Sequence, residues 1–157
     1  HPERLFRVTD GAAAQGGGRL EIGPTGDLET CLALRRRVFI EEQGVSEADE
    51  QDGRDGAAQH LLARLDGRPV GCARILLKGE SAKIGRVCVL PGARGAGLGA
   101  ALIGACLDHL RGQAGVTRAV LGAQTHALGF YERLGFVAFG EPYMDAGIPH
   151  RDMERHL

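Results

Sequence analysis

The sequence predicts one domain in which helices pack against a mixed α/β sheet, and three observations lead to this class. The chain has 157 residues, of which 43% are hydrophobic, and this length and composition suit a single core of ordinary size. Strand-like runs at 59–65 and 69–77 flank the turn Asp66-Gly67-Arg68, a pattern typical of a β-hairpin. A strand-like run at 84–90 and a helix-like run at 102–110 enclose a glycine-rich turn, so strands and helices alternate.

The first eighteen residues have little apolar surface to bury. Every residue from 11 to 18 is glycine, alanine or glutamine. Such a composition loses much backbone entropy on ordering, and it predicts a flexible tail over 1–18. An edge strand at 4–8 is the alternative for part of this segment. The folded domain is expected to span 19–157.

A strand at 20–22 is expected to precede the first helix. Asp27 is a favourable N-cap residue, and the apolar positions from Leu28 to Phe39 recur at helical spacing. Arg35, Arg36 and Arg37 lie on this helix. Because cations are favoured near a helix C-terminus, we expect these arginines to form a solvated face.

An acidic stretch follows at 41–55, with seven carboxylates in fifteen residues. One interpretation is an irregular, solvated loop. The other is that the stretch lies over an active site, where carboxylates such as Glu41 and Glu42 would attract a cationic amine.

The second half of the chain is predicted to continue the sheet. A turn at 79–81 leads into a strand at 82–90, and a helix follows the glycine-rich turn. Its apolar face consists of Leu98, Leu102, Cys106 and Leu110. The remaining predicted elements are a strand at 118–122, a short helix that begins at Thr125 or His126 and ends at Leu134, and strands at 136–139 and 152–156.

Composition excludes several classes of function. The formal net charge is −1 and the pI is about 6.7, so no global field would recruit nucleic acid or an anionic membrane. The apolar runs fall far below the roughly 18 residues of a membrane span, and no signal peptide is visible. Cysteines that occur singly within apolar patterns fit a reducing compartment, so a cytoplasmic protein is expected. Histidines and cysteines are scattered, so no metal site is expected. Buried free thiols are expected at Cys31, Cys72, Cys88 and Cys106.

The glycine-rich turn at 94–100 predicts an anion site, because backbone amides and the positive end of a helix meet there. A nucleotide-hydrolysing loop is excluded, since Leu98 and Gly99 stand where that motif needs lysine and a hydroxyl residue. Gly95, Gly97 and Ala100 fit the G-x-G-x-x-A dinucleotide fingerprint. The acidic residue that this fingerprint needs about 20 positions later is missing, because the next strand-like run ends in Ala123-Gln124-Thr125.

A third phosphate-binding pattern fits this turn better. Arg94, Gly97 and Gly99 follow a Val-x-Val strand, and this arrangement is similar to motif A of the GNAT acetyltransferases. The segment 121–136, which ends in Phe-Tyr-Glu-Arg-Leu-Gly-Phe, resembles the "A-x-x-F-Y-x-x-x-G-F" segment of the same family. Three other segments resemble its narrower ElaA-like branch: Val38-Phe39-Ile40-Glu41-Glu42-Gln43, Ile84-Gly85-Arg86-Val87 and Gly147-Ile148-Pro149-His150.

The resemblance implies the GNAT acyl-CoA N-acyltransferase fold. That fold has a mixed, mostly antiparallel sheet flanked by helices, and here it would splay between the strands at 82–90 and 118–122. The resemblance also implies acetyl-CoA as the acetyl donor, with its pyrophosphate on the glycine-rich turn and its pantetheine arm along the preceding strand. The donor-binding residues it implies are Val87, Cys88, Val89, Arg94, Gly95, Ala96, Gly97, Leu98, Gly99, Ala100, Gln124 and Phe130.

The same resemblance places Tyr131 at the family's general-acid position. A phenol stays protonated at neutral pH and can donate a proton to a leaving thiolate. Glu42, His126 and His150 are candidates for the general base. Arg86 could bind an acidic part of the acceptor or pair with a carboxylate of the protein. Cys88 alternates with valines and has no paired histidine nearby in the sequence, which favours a buried thiol over a nucleophile.

These features predict an N-acetyltransferase that moves an acetyl group from acetyl-CoA to the amine of a small molecule or protein, by direct attack in a ternary complex. A CoA-binding sensor or interaction module without turnover is the alternative, and an NAD-binding protein is a more distant one. The resemblance allows a homodimer, although no feature of the sequence specifies one.

Overall fold

The computed structural model describes residues 4–7 and 19–157, and over these residues eight strands form one sheet. Its order is β1-β2-β3-β4-β5-β6-β8-β7, in which β5 and β6 are parallel and all other neighbours are antiparallel. The predicted mixed, mostly antiparallel sheet is confirmed. The strands are β1 (Arg4–Arg7), β2 (Arg19–Thr25), β3 (Gln59–Leu65), β4 (Arg68–Lys78), β5 (Ser81–Val89), β6 (Arg118–Gln124), β7 (Val137–Asp145) and β8 (Ile148–His156).

The hairpin of β3 and β4 is confirmed. Its two loop residues, Asp66 and Gly67, have φ values of 51° and 82°. Two consecutive positive φ values give the turn whose twist matches that of the flanking strands, which explains the Asp-Gly pair. The Asp66 carboxylate also accepts a hydrogen bond of 2.9 Å from the backbone amide of Arg19, so the turn is tied to the start of β2.

Helices cover both faces of the sheet. They are α1 (Leu28–Arg35), which continues as a π-helical segment (Arg36–Glu42), α2 (Glu47–Glu50), α3 (Leu98–Arg111) and α4 (Leu128–Arg133). Neighbouring side chains of β3 point to opposite faces of the sheet, because side chains alternate along a strand. Leu61 packs in the cluster that includes Leu102 of α3, and Leu62 packs in the cluster that includes Leu34 of α1. No helix over residues 4–7 and 19–157 is long and apolar enough to cross a membrane.

The strands β5 and β6 separate after a short paired stretch. Their parallel register joins Ser81–Lys83 of β5 to residues 118–120 of β6, and the predicted splay begins after these pairs. A bulge then bends β5, since Arg86 and Val87 face the single residue Ala73 of β4. Bulges re-aim side chains and interrupt the ladder. The result is an open wedge between the carboxyl ends of β5 and β6.

Some elements differ from the sequence-based expectations. The expected solvated position of Arg35 is wrong, because its side chain is 1% exposed; Arg36 and Arg37 are exposed, as expected. The acidic stretch is also not irregular throughout, since it contains α2 and a 3-10 turn at Asp55–Ala57. Within the segment expected to be a flexible tail, Arg4–Arg7 form the edge strand β1. The rest of that segment, residues 1–3 and 8–18, lies outside the described residues.

Candidate active site

A cleft of about 600 Å³ occupies the wedge between β5 and β6. Side chains from four parts of the chain line it: Arg86 and Val87 of β5, Gln124 of β6, Tyr131 of α4 and His150 of β8. The volume lies within the range of small-molecule sites. Five residues that the sequence analysis selected are therefore brought together here.

The glycine-rich turn forms the start of α3. Gly95 and Gly97 have φ values of 88° and 76°, a conformation that glycine adopts without steric cost. Gly97 is the N-cap residue of the fourteen-residue helix α3 and has no side chain that could cover the first amides. A pyrophosphate can therefore approach these amides directly.

Phe130 packs against the start of α3. A Cβ at Gly99 would lie 3.5 Å from the Phe130 ring, which is ordinary van der Waals contact. The helix α4, which carries Phe130 and Tyr131, is thereby fixed next to the glycine-rich turn. This contact links the two segments that the sequence analysis treated separately.

Arg94 and Glu42 form a two-bonded ion pair beside the glycine-rich turn. The Arg94 Nη1 and Nη2 atoms donate to the two Glu42 carboxylate oxygens at 2.6 and 2.5 Å, and Nε donates to the Val89 carbonyl at 2.9 Å. The Arg94 guanidinium holds the pKa of Glu42 below its ordinary value. Glu42 is thus an ionised partner of the turn and is not among the residues that line the cleft, and Glu41 is exposed.

Tyr131 is half-buried between two aromatic rings. Its ring lies edge-on to Phe130 at 5.0 Å and to Phe136 at 6.0 Å. Burial raises the pKa of Tyr131, with a smaller contribution from Cys106. The phenol is therefore protonated at neutral pH, in a cleft residue held by two ring contacts.

The two candidate histidines have different surroundings. The Nδ1 atom of His150 lies 2.7 Å from the Ile148 carbonyl; because a carbonyl only accepts, Nδ1 carries the proton and Nε2 is the basic nitrogen of the neutral ring. His126 is exposed, and its Nε2 atom lies 2.7 Å from the Gln124 Oε1 atom. His150 lines the cleft and His126 does not.

Comparison with known proteins is decisive at this point, because a family model for the acetyltransferase (GNAT) domain matches residues 24–157. The chain belongs to the GNAT acetyltransferase family. It is 40% identical over 134 residues to the protein YyaT of Bacillus subtilis, a match that covers 83% of this chain and 90% of YyaT. It is 34% identical to the protein ElaA of Escherichia coli, with 83% and 88% covered.

Solved structures agree with this GNAT assignment. An acyl-CoA N-acyltransferase from Pseudomonas aeruginosa superposes with a TM-score of 0.77 at 34% identity, over 88% of this chain and 99% of that one. The crystal structure of Escherichia coli ElaA superposes with a TM-score of 0.74 at 30% identity, over 98% of this chain and 97% of ElaA. A GNAT acetyltransferase from Elizabethkingia anophelis with acetyl-CoA bound shares the fold at 16% identity, with a TM-score of 0.68 over 88% and 98%. The chain is therefore an acyl-CoA-dependent acetyltransferase.

The sequence analysis did not select two cleft residues of this GNAT protein. Gln43 accepts a hydrogen bond of 3.1 Å from Gln124, which joins the end of the π-helical segment to the end of β6. Tyr143 donates a hydrogen bond of 2.7 Å to Asp152 and stacks on His150 at 5.9 Å. Its hydroxyl occupies the space that a Cβ at Gly122 would need. The chain has two tyrosines, and the scarcity of this residue was the one available signal for Tyr143.

The cysteines are buried, as expected for structural thiols. The sulfur of Cys88 lies 3.5 Å from the sulfur of Cys72 on the neighbouring strand. Burial raises the pKa of Cys106 to about 12. Cys88 is therefore packed in the core behind β5 and does not line the cleft.

A partly buried arginine–carboxylate cluster forms one wall of the cleft in this GNAT protein. It connects α1 and α2 to the strands β4 and β5, and its cations and carboxylates alternate in space. Its members are Arg35, Glu50, Asp52, Asp55, Arg74 and Arg86. Most residues of the acidic stretch are exposed, as expected for a solvated loop, but five of its seven carboxylates are paired with arginines: Glu42, Glu47, Glu50, Asp52 and Asp55.

Proposed function

We propose that this GNAT protein transfers the acetyl group of acetyl-CoA to a primary amine, by direct attack in a ternary complex with Tyr131 as the general acid. The observation that carries the proposal is the position of the protonated Tyr131 phenol in the cleft between β5 and β6. Its neighbour Phe130 contacts the glycine-rich turn at Gly99, so the acid and the donor site belong to one packed unit.

The donor would bind in two parts. The pyrophosphate would lie on the amides of residues 95–100, with the positive charge of Arg94 beside it. The pantetheine arm would extend along Val87, Cys88 and Val89. Pairing with β6 ends at Lys83, so this edge of β5 is open to a strand-like ligand. Gln124 at the end of β6 would donate to an amide of the arm.

The reaction needs one bond to form and one to break. The amine nitrogen attacks the thioester carbonyl, the C–S bond then breaks, and the thiolate leaves. An amide at the bulge of β5 would polarise the carbonyl as negative charge develops on its oxygen. Tyr131 would donate its proton to the sulfur, whose conjugate thiol has an ordinary pKa of about 8.5.

The proton lost by the amine needs an acceptor, and His150 is the best placed of the three candidates. It lines the cleft and has Nε2 available in its neutral form. Glu42 is committed to Arg94, and the His126 Nε2 atom faces an amide oxygen. We therefore assign the general base to His150.

The test is an assay of CoA release from acetyl-CoA with a panel of primary amines. Tyr131→Phe keeps the ring contacts and removes the hydroxyl, so kcat should fall by about 10²- to 10⁴-fold. The dissociation constant of acetyl-CoA, measured by calorimetry, should stay within about twofold, since the change removes one donor that acts on the leaving group.

Tyr143→Phe is the matched control, because it removes the other cleft phenol, which is bonded to Asp152. Its loss of kcat should be clearly smaller. Equal turnover of Tyr131→Phe and wild type would remove Tyr131 from the mechanism. Binding of acetyl-CoA without release of CoA for any amine would contradict the proposed reaction. The cytoplasmic location and the homodimer stay predictions.

A further inference from the structure

Arg86 occupies an unusual backbone position in the cleft. Its φ value is 49°, in the left-handed region that side chains other than glycine rarely adopt. It lies in the bulge of β5, and its side chain is 23% exposed at the cleft wall. A strained residue at a bulge next to an active site is often retained for the direction in which it sends its side chain.

The carboxylates near Arg86 are already engaged by other arginines. Asp52 accepts two hydrogen bonds of 2.9 Å from Arg74. Glu50 accepts from Arg35 at 2.5 Å. Asp55 accepts from both of these arginines, at 2.7 and 3.2 Å from Arg35 and at 3.3 Å from Arg74.

Arg86 donates a longer hydrogen bond to a carboxylate than Arg35 and Arg74 do. Its Nη2 atom is 3.4 Å from an Asp52 oxygen, and its other acceptors are the carbonyl oxygens of Glu50 at 3.0 Å and Asp49 at 3.4 Å. Its Nε atom is buried without a hydrogen-bond partner, at 3.8 Å from Glu50. A buried donor without a partner is costly, and the Nε atom of Arg74 also lacks one. Arg74 makes three hydrogen bonds to carboxylate oxygens, whereas Arg86 makes one, at 3.4 Å, so Arg86 is the least compensated cation of the cluster.

The electrostatic surroundings agree with this geometry. Burial, followed by repulsion from Arg74, lowers the pKa of Arg86 despite the nearby carboxylates. The cleft is lined by four basic residues, Arg54, Arg74, Lys83 and Arg86, and by four acidic residues, Asp49, Glu50, Asp52 and Asp145, so its net charge does not favour an anion. A preference for an anion would therefore come from Arg86.

We propose that Arg86 binds a carboxylate carried by the acceptor, so that the acceptor is a small amino-acid-like molecule with an amine and a carboxylate. This inference rests on the proposed acetyl transfer. A planar guanidinium matches a carboxylate in shape and charge. A cleft of about 600 Å³ that also holds the end of the pantetheine arm leaves room for a small acceptor.

The test compares amines that differ only in the carboxylate. Leucine is paired with isopentylamine, and phenylalanine with phenethylamine. Rates of CoA release are compared on the free-amine fraction, because the two members of a pair titrate differently. Wild type should prefer the carboxylate-bearing member by roughly 10- to 100-fold in kcat/KM, the effect of a hydrogen bond between charged groups.

Variants at Arg86 then assign that preference. Arg86→Gln should raise the KM of leucine and erase the preference, with the dissociation constant of acetyl-CoA unchanged. Arg86→Lys should restore part of it, which a purely structural role would not produce. Arg111→Gln, which removes an exposed arginine paired with Asp108, is the charge control. Thermal unfolding of each variant identifies any that fails to fold.

The possible failures are distinguishable. Equal or better use of isopentylamine and phenethylamine by wild type would overturn the role of Arg86 and leave acetyl transfer intact. If neither member of a pair releases CoA, the proposed reaction fails for these acceptors. In that case, calorimetry measures whether N-acetylleucine binds to the CoA-loaded protein, which tests Arg86 as a carboxylate site independently of turnover. Binding that Arg86→Gln abolishes supports the site, and no binding to wild type overturns it.

Discussion

The helix α2 carries two glutamates that pair with arginines of the preceding helical segment, and only the buried one, Glu50, should contribute strongly to stability. Arg35 and Glu50 have side-chain exposures of 1% and 4% and a contact of 2.5 Å. Arg36 and Glu47 have the same contact distance, but exposures of 48% and 60%. The two pairs differ mainly in burial, which makes Glu50→Gln and Glu47→Gln a matched comparison on one short helix.

The expected cost of Glu50→Gln follows from the charge that it leaves behind. Removing one partner of a buried ion pair typically costs 3–5 kcal/mol, and about 3 kcal/mol is expected here because Asp55 still accepts from Arg35. At roughly 2–4 °C for each kcal/mol in a chain of this size, the midpoint of thermal unfolding should fall by about 6–12 °C. Glu47→Gln should change the free energy of unfolding by less than about 1 kcal/mol.

Urea and thermal unfolding of the two variants and wild type, at neutral pH and in low and high salt, measure both effects. The Glu47→Gln effect should shrink in salt, and the Glu50→Gln effect should persist, since buried pairs are screened less. Equal losses in the two variants would refute the claim that burial decides the strength of these pairs.

Two further predictions concern the glycine-rich turn and the effect of acid pH on stability. Gly97→Ala should weaken acetyl-CoA binding by up to about tenfold in calorimetry, because a Cβ at a φ of 76° costs about 1–2 kcal/mol. Gly99→Ala is the control, since its Cβ would meet Phe130 at an ordinary 3.5 Å, and its affinity should stay within about twofold of wild type. Similar affinities of the two variants would argue against a phosphate role for the turn. Hydrogen bonds from Arg74 hold the pKa of Asp52 in the folded protein well below its ordinary value. The ionised Asp52 therefore stabilises the fold fully above about pH 3.9, the pKa of an aspartate in the unfolded chain, and this stabilisation is lost as the pH falls below that value. Urea unfolding between neutral pH and acid should show a shallower acid-side decline for Asp52→Asn than for wild type, and parallel curves would contradict this contribution.

Local signals in the sequence predicted the hairpin turn and the glycine-rich turn that precedes α3. The Asp66-Gly67 turn and the glycines at 95 and 97 need particular backbone angles, and residue type alone reports such needs. The Phe130-Tyr131 pair was found through its motif, and the structure places Tyr131 in the cleft.

The surroundings of Arg35 and Tyr143 depend on contacts that no local pattern contains. Arg35 is buried because Glu50 and Asp55, 15 and 20 residues away, fold back onto it. The helical spacing alone indicated a solvated arginine. Tyr143 reaches Gly122 on β6 across β8, and that approach exists only once the three strands are paired.

The short parallel register of β5 and β6 has a consequence for how this enzyme could be re-engineered. Most of the residues proposed to bind the donor lie on β5, the glycine-rich turn and α4, whereas the β7–β8 hairpin supplies His150 and Tyr143 from the far side of the wedge. Only three residue pairs join β5 to β6, and the helix α4 also contacts β7. Under the proposed assignment, a hairpin grafted from another acetyltransferase of this fold would change which amine is accepted, while β5 and the glycine-rich turn stay in place.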